Sequence, residues 1–107
     1  MNNKILTLLG FAAKSGNLSY GFEATLTSLK RGKSQLVIVA SDISPKSIKE
    51  IAFFAEKFSV RHIILESIDI KAVSDAIGRK CGIISVNDKG FANSCVNAIL
   101  GGNANDK

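Results

Sequence analysis

The sequence offers little material for a cross-link or a metal centre. It has two cysteines, Cys81 and Cys95, and a single histidine, His62, among 107 residues. Two cysteines are too few for a disulfide-stapled scaffold, and with one histidine they form no zinc-binding pattern. We therefore expect reduced thiols, no bound metal and a cytoplasmic location.

Signatures of catalysis are missing as well. Neither GxGxxG nor GxxxxGK[ST] occurs, so the common phosphate-cradling loops are excluded. His62 lies in the apolar run RHIIL, which favours a structural role over that of a general base. Cys95 falls on the apolar face of a helix, and Cys81 lies in a turn with no histidine nearby in sequence. We expect no enzymatic activity and no cofactor.

Long apolar runs and repeats are also lacking. The stretch ILTLLGFAA follows Lys4, is interrupted soon after by Lys14, and carries no clear cleavage site. It is too short to span a bilayer and is typical of an amphipathic helix. The length fits one domain over residues 1–102, with a flexible tail over 103–107. We expect no membrane contact and a monomer.

The sequence does have an excess of positive charge, and most of it lies early in the chain. The net charge is +5. Residues 1–41 contain a single acid, Glu23, and the turn around Gly32 carries three cations; a small second cluster follows at Arg79-Lys80. A basic balance predicts an acidic partner, most often nucleic acid. The alternative is a solvated turn that keeps a small protein soluble.

Hydrophobic periodicity predicts alternating helices and strands. The predicted helices cover residues 3–14, 21–31, 45–57, about 70–77, and 88 onward; the predicted strands cover 35–40, 60–66 and 82–87. Ser44 is a predicted N-cap before Pro45, and the second helix should bury Phe22, Leu26 and Leu29. Alternating elements predict the α/β class, as a three-layer α-β-α sandwich with a small, about four-stranded parallel or mixed sheet.

Four segments carry a resemblance to a known family. They are GFEATLTSLKRGKSQLVIVASDISP, AIGRKCGIISVND, LLGFAAKSG and DKGFAN. In order and spacing they resemble the kink-turn-binding ribosomal proteins of the L7Ae/L30e type, and the first and last segments resemble the bacterial YlxQ branch in particular. The resemblance covers nearly the whole chain. It implies an α-β-α sandwich with a four-stranded mixed sheet, and RNA binding without catalysis.

The resemblance also implies which residues face the RNA. The family's second helix begins Gly-x-Asn-Glu with a lysine one turn later, and its Asn and Glu read sheared G·A pairs. Here Gly21 matches, whereas Glu23, Ala24 and Thr27 replace the Asn, the Glu and the Lys. Arg31 matches a basic position at the far end of the helix. Because most of the family's base-contacting residues are replaced, the sequence predicts contact with the RNA backbone rather than specific recognition of a kink-turn.

A second family element is the loop that packs on a flipped-out base, occupied here by Arg79, Lys80 and Cys81 and therefore basic. We expect the cations of this loop to share one end of the domain with those near Gly32. The complete set of candidate RNA-binding residues is Lys14, Gly21, Phe22, Glu23, Thr27, Lys30, Arg31, Lys33, Arg79, Lys80 and Cys81.

Structured RNA is thus the expected partner, ribosomal or other, with ribosomal proteins as further candidates. Two alternatives stay open. One is a protein-interaction module that docks on a ribosomal or regulatory partner. Loss of the residues that contact the bases is consistent with this alternative. The other is an accessory domain of an RNA-modifying enzyme, whose catalytic domain would then be another polypeptide.

Overall fold

The computed structural model describes residues 4–100, which form five helices and four strands. The elements are α1 (Lys4–Lys14), β1 (Leu18–Tyr20), α2 (Phe22–Lys30), β2 (Leu36–Val39), α3 (Pro45–Lys57), β3 (His62–Ile64), α4 (Ile70–Ile77), β4 (Ile83–Val86) and α5 (Lys89–Leu100). The predicted start of the first helix at Asn3, the domain limit at residue 102 and the tail over 103–107 lie outside the described residues.

The predicted helix starts are confirmed where they rest on a capping side chain. Ser44 Oγ accepts a hydrogen bond from Ser47 N at 3.3 Å, and Pro45 occupies the first helical position. At α4 the cap is Asp69, whose Oδ1 accepts from Ala72 N at 2.9 Å. These local bonds satisfy amide groups that have no partner within the helix, and they fix where each helix begins.

One element was not predicted. The predicted elements leave residues 15–20 unassigned between the first two helices, but Leu18–Tyr20 form β1. Three residues are too few to show a period-two pattern. The strand exists because β4 supplies its hydrogen-bond partners, in a register that places Leu18 opposite Val86.

The sheet is mixed, with strand order β1-β4-β2-β3. β2 and β3 run parallel, while β4 runs antiparallel to both of its neighbours, β2 and β1. β1, β2 and β3 therefore end at the same edge of the sheet, where β4 begins. We call this edge with its loops the α2-start end (residues 21–24, 40–44, 65–69 and 78–82). The opposite edge is the α2-finish end (residues 14–17, 30–35, 57–61 and 86–89).

The helices cover both faces of the sheet, so the predicted three-layer α-β-α sandwich is confirmed. On one face Leu36, Ile38 and Ile84 pack with α1, α4 and α5. On the other face Val37 and Val39 pack with α2 and α3. Successive strand residues alternate between the two clusters because side chains of a strand point to opposite faces.

The inner face of α2 differs from the prediction. Leu29 is buried as expected and Phe22 packs half-buried against the same cluster, but Leu26 belongs to neither core cluster. Thr25 and Ser28 are buried in its place. The reason lies in β4, which places the polar side chain of Ser85 beneath α2. This part of the contact between α2 and the sheet therefore consists of hydroxyl groups.

That contact is a cluster of hydrogen-bonded side chains around Asn87. Its Oδ1 accepts from the hydroxyls of Ser28 and Ser85, each at 2.7 Å. Its Nδ2 donates to Ser19 Oγ at 2.9 Å, and Ser85 Oγ lies 2.7 Å from Ser34 Oγ. The cluster joins α2, β1 and β4, and thereby fixes the position of α2 on the sheet.

Candidate nucleic-acid interface

The predicted RNA-binding residues divide between the two ends of the domain. Gly21, Glu23 and the segment Arg79–Cys81 lie at the α2-start end, because β4 begins where β1 finishes. Lys14 and the segment 30–33 lie at the α2-finish end, because α1 and α2 both end there. The expectation that all these cations share one end is therefore wrong. Between the two groups α2 rises about 12 Å, at about 1.5 Å per residue.

The N-terminus of α2 forms the centre of the α2-start end. Gly21 is its N-cap, with φ 92° and ψ 169°, a conformation that a residue with a Cβ rarely adopts. The Gly21 amide donates to the carbonyl of Ile83 at 2.7 Å, which attaches the helix start to β4. No side chain caps this helix, so the amides of Phe22, Glu23 and Ala24 are left to a ligand or solvent.

The loop between α4 and β4 lies next to this helix start. Gly78 ends α4 in the left-handed conformation, with φ 76°. The Ser74 hydroxyl then holds the loop, since it accepts from Cys81 N at 3.1 Å and donates to Cys81 O at 3.2 Å. At Gly82 an added Cβ would come within 2.7 Å of the side chains of Ile43 and Ile70. The loop thus has a single well-defined path against α4.

Arg79 is held by an aromatic ring that the sequence analysis did not single out. The guanidinium carbon of Arg79 lies 4.5 Å from the ring centre of Tyr20, a cation–π contact. Tyr20 directly precedes Gly21, and this adjacency is the only sequence signal for its role. Arg79 and Lys80 are both exposed, so they are available to phosphates.

Cys81 lies half-buried beside Gly21 and is a neutral thiol. Burial raises its pKa above the ordinary value of 9.0, although the Gly21 backbone and the Arg79 guanidinium act in the opposite direction. Burial therefore disfavours the thiolate, which is the nucleophilic form of a cysteine.

Glu23 and Thr27 lie one turn apart on the exposed face of α2. Within residues 4–100, the Glu23 carboxylate has no cation within 4.0 Å. Its position in the first turn of α2 complements the positive end of the helix dipole. Lys30 and Arg31 continue this exposed face toward the α2-finish end.

Between residues 4 and 100, no three His, Cys, Asp or Glu side chains are grouped closely enough to hold a metal ion. In that part of the chain no helix has the length and apolar character needed to cross a membrane.

Comparison with known proteins identifies the family. The model of the ribosomal protein L7Ae/L30e/S12e/Gadd45 family matches residues 3–96. The chain belongs to this family. The resemblance that the sequence motifs carry is therefore confirmed, as is the α-β-α fold that the family implies.

Individual relatives span most of the chain. The RNA-binding protein YlxQ of Enterococcus faecium is 26% identical over 98 residues, which are 92% of this chain and 93% of that protein. The large ribosomal subunit protein eL30 of Zea mays is 30% identical over 92 residues, or 84% of this chain and 78% of that protein. A Bacillus halodurans protein of unknown function has a similar structure, with a TM-score of 0.86, 26% identity, and coverage of 92% of this chain and 99% of that one.

Proposed function

We propose that this L7Ae/L30e-family protein binds structured RNA without catalysing a reaction, and that the RNA lies against the α2-start end. The observation that carries the proposal is the uncapped N-terminus of α2 beside the basic loop at Arg79. Backbone amides at a helix N-terminus and nearby arginine side chains are both common phosphate ligands in nucleic-acid complexes. Relatives named as an RNA-binding protein and as a ribosomal protein support the same conclusion.

The surface is suited to RNA shape and backbone more than to base edges. A carboxylate at Glu23 only accepts hydrogen bonds, whereas the amide it replaces in the family both donates and accepts. Ala24 has no polar side-chain group at all. The half-buried Phe22 and Cys81 supply apolar surface on which an unstacked base can pack. We therefore propose a kinked or looped RNA as the ligand, read with little sequence specificity.

Cellular context is part of the proposal. Ribosomal RNA is the first RNA to test, because the family includes ribosomal proteins. We propose a cytoplasmic protein that acts as a monomer. Association with ribosomal proteins would then be indirect, through a shared RNA.

Fluorescence anisotropy with three labelled RNAs tests the proposal: a kink-turn, a hairpin with a single-stranded loop and no sheared G·A pairs, and a straight duplex. We expect binding to the first two with similar affinity, and weaker binding to the duplex. A strong preference for the intact kink-turn would show that the replaced reading residues still suffice. Absence of binding at low salt would overturn the proposal in favour of a protein-interaction module.

A double variant locates the surface. Arg79→Gln with Lys80→Gln should weaken RNA binding and lower the salt slope by about two, since each lost phosphate contact removes about 0.9. The matched control is Lys14→Gln with Lys57→Gln, two exposed positions at the α2-finish end, which changes the net charge equally and should leave affinity almost unchanged. Equal losses in the two variants would contradict placement of the RNA at the α2-start end.

A further inference from the structure

The two ends of the domain differ sharply in charge. At the α2-start end and in the adjoining halves of the helices, acids and bases balance: Glu23, Asp42, Glu50, Glu66, Asp69 and Asp75 against Lys4, Lys46, Lys49, Lys71, Arg79 and Lys80. At the α2-finish end the acids are Glu56 and Asp88, and the cations are Lys14, Lys30, Arg31, Lys33, Lys57, Arg61 and Lys89. The net positive charge of the described residues is therefore located at the end opposite to the N-terminus of α2.

The cations of the α2-finish end are not neutralised within the described residues. Over residues 4–100 the ion pair closer than 4.0 Å is Lys71–Asp75, which lies on α4. Asp88 is engaged as a cap, since its Oδ2 accepts from Phe91 N at 2.8 Å. A surface with this concentration of positive charge attracts a polyanion, and while no ligand is bound its cationic side chains repel one another.

Helix dipoles account for only part of this cluster. Lys14, Lys30 and Lys57 lie in the last turns of α1, α2 and α3, and Arg31 is the C-cap of α2. At all four positions a cation stabilises the helix end without any ligand. The remaining positions have no such explanation. Lys33 and Arg61 lie in turns outside the helices, and Lys89 begins α5, where a positive charge is unfavourable. A ligand that carries negative charge would explain all three.

A cleft opens beside these cations, between the beginnings of β2 and β3 and the exposed face of α5. Its polar lining consists of Gln35, Arg61, Asn93 and Asn97, and its apolar lining of Leu36, Ala92 and Val96. The volume is about 500 Å³, within the range typical of small-ligand sites. Amide groups both donate and accept hydrogen bonds, so they suit the edges of a base, while the half-buried Val96 offers an apolar contact to its face.

From the charge and the cleft together, we infer that the α2-finish end is a second RNA-binding surface, which takes a single-stranded segment with one base in the amide-lined cleft and its phosphates on Lys33, Arg61 and Lys89. The inference rests on the proposed RNA-binding function and extends it. Because the two surfaces lie at opposite edges of the sheet, one molecule bridges two RNA segments. An unpaired segment is the suitable ligand because its bases are accessible from the edge.

The test is a bridging assay with the full chain. Biotinylated structured RNA is immobilised, protein is added, and retention of a fluorescent single-stranded oligonucleotide is measured at several salt concentrations. We expect oligonucleotide retention that depends on the protein, with a complex of one protein and two RNAs by analytical ultracentrifugation. Displacement of one RNA by the other would overturn the inference, because it would mean a single shared surface.

Two variants separate this inference from the proposed function. Lys33→Gln/Arg61→Gln/Lys89→Gln should weaken oligonucleotide binding at least about tenfold and lower its salt slope by about two, at 0.7 per lost contact, while the immobilised RNA is bound as before. Arg79→Gln/Lys80→Gln should have the opposite selectivity. If Arg79→Gln/Lys80→Gln binds the structured RNA normally, the proposed function is wrong at the α2-start end. If the triple variant binds the oligonucleotide normally, the second surface is wrong.

The cleft has its own test. Asn93→Ala with Asn97→Ala removes neutral groups, so it should weaken oligonucleotide binding without changing the salt slope. Lys46→Gln/Lys49→Gln/Lys71→Gln is the charge-matched control for the triple variant and should retain the oligonucleotide. Circular dichroism and melting curves establish that each variant is folded. Unchanged affinity of the folded asparagine variant would remove the base from the proposed binding mode and overturn that part of the inference.

Discussion

Asn87 Nδ2 donates a hydrogen bond to Ser19 Oγ at 2.9 Å and so ties the end of β4 to β1. The same side chain accepts from Ser28 and Ser85 through its Oδ1. Asn87→Ala would leave the Ser28 hydroxyl without its acceptor in a poorly hydrated site, while Ser85 Oγ would keep Ser34 Oγ at 2.7 Å. We expect the free energy of unfolding to fall by about 1–3 kcal/mol, the usual penalty for an unsatisfied buried polar group. Urea denaturation measures it.

The matched control for Asn87→Ala is Asn93→Ala, on the exposed face of α5. This variant should unfold within about 0.5 kcal/mol of the wild type, as most surface substitutions do. Equal stability of the two variants would mean that the cluster around Asn87 is exchangeable with water and does not hold α2 in place.

Val37 tests the core of the sandwich. It is fully buried in β2, with His62 of β3 and Ser85 of β4 opposite it in register. Val37→Asp places an unpaired carboxylate there, and we expect a loss of about 3 kcal/mol or more in the free energy of unfolding. Ile64→Asp is the control. Because Ile64 is 41% exposed in the outer strand β3, this variant should lower the free energy of unfolding far less. A wild-type melting curve for Val37→Asp would refute the arrangement of the sheet.

The buried thiol of Cys95 should make the free energy of unfolding depend on pH in alkaline solution. Burial raises the pKa of its thiol from 9.0 to about 11. The unfolded chain therefore ionises first, so this contribution to stability is complete below pH 9 and is lost between pH 9 and about 11. The loss is about 1.4 kcal/mol per pH unit, or on the order of 2–3 kcal/mol in all.

Cys95→Ala should flatten that alkaline decline, although it lowers stability at neutral pH through the cavity that it leaves. Urea denaturation at intervals from pH 8 to 11 gives the two slopes. Ser94→Ala, at an exposed neighbouring position, should retain the wild-type slope. If Cys95→Ala retains it as well, other groups control the alkaline transition.

Glu23→Gln tests whether the carboxylate of Glu23 weakens phosphate binding at the α2-start end. Removal of the carboxylate from the first turn should change stability by only a few tenths of a kcal/mol. Affinity for structured RNA should rise slightly and equally for different sequences, because a negative charge beside the phosphate site is lost. Glu50→Gln on α3 has the same charge change and should leave affinity nearly unaltered. A shift in preference between RNAs by about 1–3 kcal/mol would instead show that Glu23 contacts a base edge.

Much of this fold could be predicted from local sequence. The run LVIV marks β2 by its β-branched residues, and Ser44-Pro45 marks the start of α3 by its capping chemistry. β1 could not be predicted in this way, because the three residues Leu18–Tyr20 show no period of their own. Family resemblance supplied the four-stranded mixed sheet, but not the identity of this strand.

The candidate site was harder to predict, for a reason of topology. Ser28 and Asn87 are 59 residues apart in the chain, so no local pattern connects them. Nor does local sequence show that β4 runs opposite to β2 and thereby carries Arg79 to the end away from Lys33. The residue types were informative, whereas their assignment to one surface or the other required the strand order.

That strand order also governs when the domain can close during synthesis. β1, the first strand made, pairs in the described sheet with β4, the last one, and α1 packs on α4 and α5. Most of the contacts of residues 4–20 consequently form only after α4 and β4, which span residues 70–86, have been made. The unit β2-α3-β3 can form earlier, since its strands are neighbours in both sequence and space. The nascent chain therefore carries an unpaired amphipathic helix for most of its translation, and folding is completed only as the final helix emerges.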